Sequence, residues 1–424
     1  MKKDAQFHIS TSWEIIHFPF LFEEVFKIGL FNNFKKNSQI KKAYNLINER
    51  KYQEALKCYN EILETDLHHT DAWYGKGVVL QRLKKYNEAL ESYDKALELD
   101  PSYVDVWYGK GVVLGELRKH QEALKAYDKA LELDPEYVEV WYNKGVILGE
   151  LGKHEEELDA YDNALKIDPS HVNALHNKGI AYGILGEHQE ALNCFDNELK
   201  LEPQNTNAWY SKGNSLSNLE KYPEAIESYN KALKINPKFT YAWTAKGNSL
   251  LNLEKYQEAI ESYDKALEIE PNYDGAWFNR GYALEKLGKY PEAIDSFDRV
   301  LEIKPGNVNA LFQKGHTLAN IEKYPEAVES YDKILKINPN DMETLYNKGN
   351  IMIEVGKYQE ALESFDKVLE IDPNDVETWN DKGHAFVKLE KYQEALGCFD
   401  KALELDPNFK SASNAKKEIL EAKK

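Results

Sequence analysis

Residues 70–103 read TDAWYGKGVVLQRLKKYNEALESYDKALELDPSY. Trp73, Gly77 and Leu80 are spaced four and three apart, which sets them on one face of a first helix. Ala89, Tyr93 and Ala96 keep the same spacing and predict a second helix. Lys84, Lys85 and Tyr86 fall between the two as a turn. Asp100 and Pro101 close the stretch, because a residue that precedes proline avoids the helical region. The stretch therefore predicts a helical hairpin.

Outward from it, the same residues recur at a step of 34. Prolines stand at 101, 135, 169, 203, 237, 271, 305, 339, 373 and 407, and glycines keep the step from Gly77 to Gly383. Seven of the eight tryptophans do so as well, from Trp73 to Trp379, and Leu175, Leu311 and Leu345 fill the gaps with other apolar side chains. One architecture thus accounts for the chain from Thr70 to Phe409. Trp73, Gly77, Ala89, Tyr93, Ala96 and Pro101 resemble the tetratricopeptide repeat signature at its usual length. The resemblance implies an all-α, right-handed superhelical solenoid of about eleven 34-residue helix-turn-helix repeats. Units start at 70, 104, 138, 172, 206, 240, 274, 308, 342 and 376, after a degenerate one at 36–69 that has Leu67 where proline recurs.

No unit of this kind buries its apolar face alone, so stability is expected to be a sum of unit and interface terms. The small side chains at Gly77 and Ala89 let the two helices approach, with the tryptophan filling the space beside them. Truncating an internal tryptophan to alanine is then expected to cost roughly 3–5 kcal/mol. Where the family usually has leucine before the glycine, this chain has Lys76, Lys110, Lys144 and once Arg280, read as stems with solvated heads. Glu157 and Glu198 stand in slots otherwise filled by alanine or a branched apolar residue. Both are expected to reach solvent and to make residues 138–205 the least stable joint.

The ends depart from the repeat. Residues 410–424 predict a polar capping helix, with Ala412, Ala415, Ile419 and Leu420 on its apolar stripe. In residues 1–35, Thr11 and Glu14 have capping-box spacing and Pro19 breaks the helix, while Phe22, Val25, Phe26, Leu30, Phe31 and Phe34 make an apolar surface. A helical cap is expected there; contact with a membrane surface is disfavoured, because the segment lacks a Lys-rich polar face.

Composition narrows the function. With 72 acidic against 54 basic residues the formal charge is −18, which repels a phosphate backbone and argues against nucleic acid. The apolar run from Ile15 to Phe22 holds His17 and Pro19 and is too short to span a bilayer. Three cysteines and no leader-like start point to a reducing, cytoplasmic setting.

No chemistry-bearing motif stands out. Cys58, Cys194 and Cys398 occupy one repeat slot, several helical layers apart, too far for a disulfide or a shared metal. His120, His154 and His188 replace the tyrosine of another slot, and the adjacent pair His68 and His69 lacks further ligands. Phosphate-binding glycine loops, zinc-protease and nucleophile-elbow motifs are missing from the sequence, so no enzyme activity, cofactor or metal is expected.

The outer face of the first helices carries the functional expectation. By helical spacing it gathers Tyr74, Tyr108, Tyr142, Asn143, His176, Asn177, Tyr210 and Asn214, then Asn248, Phe278, Asn279, Phe312, His316, Tyr346, Asn347 and Asn350. The family resemblance implies that this face lines a concave groove. Asparagine both donates to and accepts from a peptide backbone, and aromatic rings add contact area. Carboxylates lie at both ends, from Asp71, Asp105, Glu116, Glu139 and Glu150 to Glu343, Glu354, Glu377 and Asp381, and favour a neutral or basic protein or peptide. Arg82, Lys286 and Lys388 are too scattered to clamp a terminal carboxylate. The chain reads as a protein-binding scaffold; a self-assembling structural protein and a substrate-recruiting subunit of a separate enzyme are the alternatives.

Overall fold

The computed structural model describes residues 38–422, and these form 23 α-helices and no strand. The expectations for residues 1–35, cap and membrane contact alike, lie outside the described residues. The chain divides into two compact units that meet in sequence at Ile235 and Asn236.

In the first unit the described helices are α1 (Ser38–Asn48), α2 (Tyr52–Thr65), α3 (Thr70–Arg82), α4 (Tyr86–Leu99), α5 (Val104–Glu116) and α6 (His120–Leu133), followed by α7 (Val138–Glu150), α8 (His154–Ile167), α9 (Val172–Ile184), α10 (His188–Leu201), α11 (Thr206–Asn218) and α12 (Tyr222–Ile235). The second unit holds α13 (Thr240–Asn252), α14 (Tyr256–Ile269), α15 (Asp274–Lys286), α16 (Tyr290–Ile303), α17 (Val308–Asn320) and α18 (Tyr324–Ile337), then α19 (Met342–Glu354), α20 (Tyr358–Ile371), α21 (Val376–Lys388), α22 (Tyr392–Leu405) and α23 (Lys410–Ala422). Within each unit, consecutive helices pack as hairpins, and each hairpin packs on the next.

The hairpin turn has a local cause. The second residue after each first helix takes a left-handed conformation, with φ of 58° at Lys84 and 70° at Gly152. The next amide then folds back onto the helix end, as Lys85 N–H does on the Leu80 carbonyl at 2.9 Å. Second helices end differently. Asp100 turns extended ahead of Pro101, its Oδ1 accepts the Ser102 N–H at 3.0 Å, and Trp107 Nε1 donates to the Pro101 carbonyl at 2.9 Å. The same indole-to-proline bond recurs at Trp141 and Trp209 in the first unit and at Trp243, Trp277 and Trp379 in the second.

These bonds revise the role expected for tryptophan. The indoles are half-buried clasps on the loops, whereas the space beside each glycine at the 34-residue step is filled by an aromatic ring of the second helix. A Cβ on Gly77 would sit 2.5 Å from the Tyr93 ring, and one on Gly281 would sit 2.7 Å from the Phe297 ring. Tyr93 and Phe297 are both fully enclosed. Glycine is required here for close approach, since no real side chain fits at such distances.

The cations before the glycines are also not free heads. Lys110, Lys144 and Lys212 pair with Asp94, Asp128 and Asp196 of the preceding second helix at 2.5–2.7 Å, and Lys314, Lys348 and Lys382 do the same in the second unit. Each of the first three also lies over the tryptophan three residues earlier, at 5.2–5.5 Å from its ring centre. A cation fixed between carboxylate and indole sets the register of neighbouring hairpins, though an exposed pair of this kind adds little stability. At the end of the second unit, Ala412, Ala415 and Ile419 of α23 cover Ala395, Phe399 and Ala402 of α22, while Leu420 stays exposed.

Candidate functional site

Each first helix presents its outer face beside the next first helix of the same unit. In several repeats the fifth residue leans inward there. Tyr74, Tyr108 and Tyr142 are buried, with ring centres 6.0–6.3 Å from Tyr93, Tyr127 and Tyr161 of the second helices. Tyr103 and Tyr137 cover two of them from the following loop, at 5.2 and 5.3 Å.

Hydrogen bonds join these rings to the next repeat. Asn143 Nδ2 donates to the Tyr108 phenol oxygen at 3.1 Å and to the Glu139 carbonyl at 2.7 Å, and Asn177 Nδ2 donates to the Tyr142 phenol oxygen at 3.3 Å. Burial pushes the Tyr142 phenol up to about 12, so it stays protonated at neutral pH. In the second unit Asn279, also buried, donates to Asn248 Oδ1 at 2.9 Å.

Six of the sixteen residues expected to face a ligand are therefore enclosed: Tyr74, Tyr108, Tyr142, Asn143, His176 and Asn279. Helical spacing assigns them to this face, but they are buried there, Tyr74 and Tyr108 beneath the ring of the following loop. Asn177, Tyr210 and Asn214 in the first unit remain partly accessible. So do Asn248, Phe278, Phe312, Tyr346, Asn347 and Asn350 in the second, and His316 is exposed.

The accessible asparagines of two repeats are held from beneath. Tyr229 Oη donates to Asn214 Oδ1 at 2.9 Å, and Tyr263 Oη donates to Asn248 Oδ1 at 2.8 Å. Each Oδ1 is thereby engaged, and both side chains remain partly accessible. His316 Nδ1 lies 3.2 Å from the largely buried Glu285 carboxylate, which also accepts from Thr317 Oγ1 at 3.2 Å. Tyr346 Oη donates to Asp381 at 2.7 Å.

Glu157 and Glu198 depart from expectation, since both are buried. His154 Nδ1 lies 2.8 Å from Glu157, and His176 Nδ1 lies 2.9 Å from Glu198. Gly149 makes room for the first, as a Cβ there would fall 2.6 Å from the Glu157 carboxylate. The sequence signal was a paired departure within one repeat, His176 in an aromatic slot and Glu198 in an alanine slot.

Burial holds the Glu157 pKa above the ordinary carboxylate value, with His154 opposing it. A folded-state pKa that is raised supplies stability at low pH and loses it as pH rises through that value. The carboxyl therefore contributes less favourably at neutral than at acid pH. Glu157→Ala is expected to change the urea midpoint more favourably near pH 7 than near pH 4. Urea unfolding at the two pH values checks this.

Burial also raises the Cys194 and Cys398 thiols to about 11, which keeps them protonated and poor nucleophiles. An open cleft of about 570 Å³ lies between two loops and is lined by His68, His69, Asp66, Asp71, Asp100 and Asp105. Its carboxylates are occupied: Asp66 and Asp100 accept from their own loops, Asp71 from Tyr103 and Asp105 from Tyr137. Among the described residues no three His, Cys, Asp or Glu side chains are grouped to hold a metal ion, and no helix is long and apolar enough to cross a membrane.

Family models for the tetratricopeptide repeat match residues 70–103, 108–172, 160–193, 206–239, 244–308, 308–341, 343–375 and 376–409. Similar solved structures include YrrB, described as a TPR protein with an unusual peptide-binding site, at 26% identity and TM-score 0.39, covering 44% of this chain and 97% of that one. A tetratricopeptide repeat protein from Parabacteroides merdae is 19% identical with TM-score 0.45, covering 59% of this chain and 98% of its own. The APC/C hetero-tetramer Cut9-Hcn1 is 15% identical with TM-score 0.41, covering 89% and 95%. A search of curated protein sequences returned no match.

Proposed function

Because this chain belongs to the tetratricopeptide repeat family, whose members mediate protein–protein interactions, we propose that it is a non-enzymatic scaffold holding an extended peptide or partner segment on the outer face of its first helices. The observation that carries this reading is that each unit holds an asparagine fixed from below. Tyr229 and Tyr263 engage the oxygens of Asn214 and Asn248, so each amide offers its N–H donors without paying the full entropy of ordering on binding. Such donors match backbone carbonyls, which every peptide has. Tyr210 in the first unit, and Phe278 and Phe312 in the second, add half-buried rings on the same helix face of their own repeats. Carboxylates at Glu116, Glu139 and Glu150 favour a neutral or basic partner in the first unit, within a reducing cytoplasmic setting.

The test is purification of the tagged protein from its own cells, wild type against a Tyr210→Ala/Asn214→Ala variant and a separate Asn248→Ala variant. Each lost donor should weaken retention up to about tenfold while helix content is unchanged. A partner retained equally by wild type and both folded variants would remove this face from the function.

A further inference from the structure

Among the described residues only Glu157 and Glu198 are buried carboxylates, and Glu198 is the more enclosed, at 0% exposure. Its slot holds Ala130 and Ala164 in the two preceding repeats, and the slot of His176 holds Tyr108 and Tyr142. The two exceptions share one repeat and meet. His176 Nδ1 lies 2.9 and 3.1 Å from the two Glu198 oxygens, and Asn205 Nδ2 donates to Oε1 at 3.0 Å. The other imidazole nitrogen, His176 Nε2, is buried and has no hydrogen-bond partner.

We propose that the repeat formed by α9 and α10 is a proton-dependent joint of the first unit, closed while the His176–Glu198 pair is electrically neutral and opened when the pair loses a proton. The neutral pair holds two protons, one between Nδ1 and the carboxylate and one on Nε2. Removing one leaves a net negative charge inside the core.

Among the described residues no lysine or arginine is paired with Glu198. From α9, Lys178 pairs with Asp162 of α8; from α11, Lys212 pairs with Asp196. On α10 itself the near titratable group is the protonated thiol of Cys194, and in the following turn Glu202 adds a carboxylate bonded to Asn205. A closed repeat that encloses the neutral pair has no water to take up the charge left by a lost proton, so on this proposal closure weakens as pH rises. The unmet Nε2–H donor further eases opening, because water satisfies it once the repeat loosens. As regulation of the binding face, through Asn177 on the same helix, the joint rests on the proposed function; as a property of the fold it does not.

Hydrogen exchange read by mass spectrometry on the whole chain tests it without any partner, so failure here is separate from failure of the binding proposal. Protection of α9 and α10, corrected for intrinsic exchange, is expected to fall at least tenfold more than that of α5 and α6 between about pH 6.5 and 9. In Glu198→Gln and in His176→Phe/Glu198→Val that excess should vanish. Equal response of the two repeats in the wild type, or an excess that survives in a folded variant, overturns the proposal.

Discussion

Phe297→Ala is expected to cost about 3–5 kcal/mol, and Trp277→Ala about 2 kcal/mol less, although tryptophan is the larger side chain. Phe297 has no exposed surface and lies against Gly281, whose missing Cβ lets α15 and α16 approach. Removing the ring leaves a cavity that two helices already in contact cannot close. Trp277 is half-buried, and its losses are the bond to the Pro271 carbonyl at 2.8 Å and the guanidinium groups of Arg280 and Arg299, at 5.5 and 5.7 Å from its ring. Those groups regain water when the indole goes. Urea unfolding of the two variants, with hydrogen exchange of α15 and α16 to localise the effect, orders them. A Trp277 variant as unstable as the Phe297 variant would return the main packing role to the indole.

The hairpin repeat was legible because proline, glycine and the small and aromatic slots all answer to one backbone geometry. Spacing alone shows which residues share a helix face, but it does not show how far a side chain leans. For that reason Trp73 and Tyr93, both large and aromatic and both at fixed repeat positions, were indistinguishable as core fillers until Gly77 was seen against the tyrosine. The same limit explains the outer face. Tyr108 and Asn143 lie on it by spacing, yet they bond to each other across two first helices and leave little for a ligand. Asn214 differs because its partner, Tyr229, comes from below; Asn248 has Tyr263 below it and also accepts from Asn279 of the next first helix. No one-dimensional period separates a tyrosine beneath an amide from one beside it.

The buried pair gives the second large expectation, a thermodynamic cycle of unusual sign. His176→Phe leaves Glu198 enclosed with only the Asn205 amide, and removing one partner of a buried ion pair typically costs about 3–5 kcal/mol. Glu198→Val strands the imidazole instead, with neither nitrogen bonded, at about 1–3 kcal/mol. The double variant places the residue types of Phe278 and Val300 in the corresponding slots, and Val300 is fully buried in its own repeat. Well-packed apolar replacements of buried ion pairs are often neutral or stabilising by about 1–4 kcal/mol, so the double variant should be at least as stable as the wild type. The cycle then yields a coupling of several kcal/mol in a pair whose combined presence adds no stability. On that outcome stability would not account for two polar residues at a site where neighbouring repeats have tyrosine and alanine. Double-mutant unfolding at pH 7 decides it: additive losses would mean that His176 and Glu198 act independently, and the proton-dependent joint would lose its physical basis.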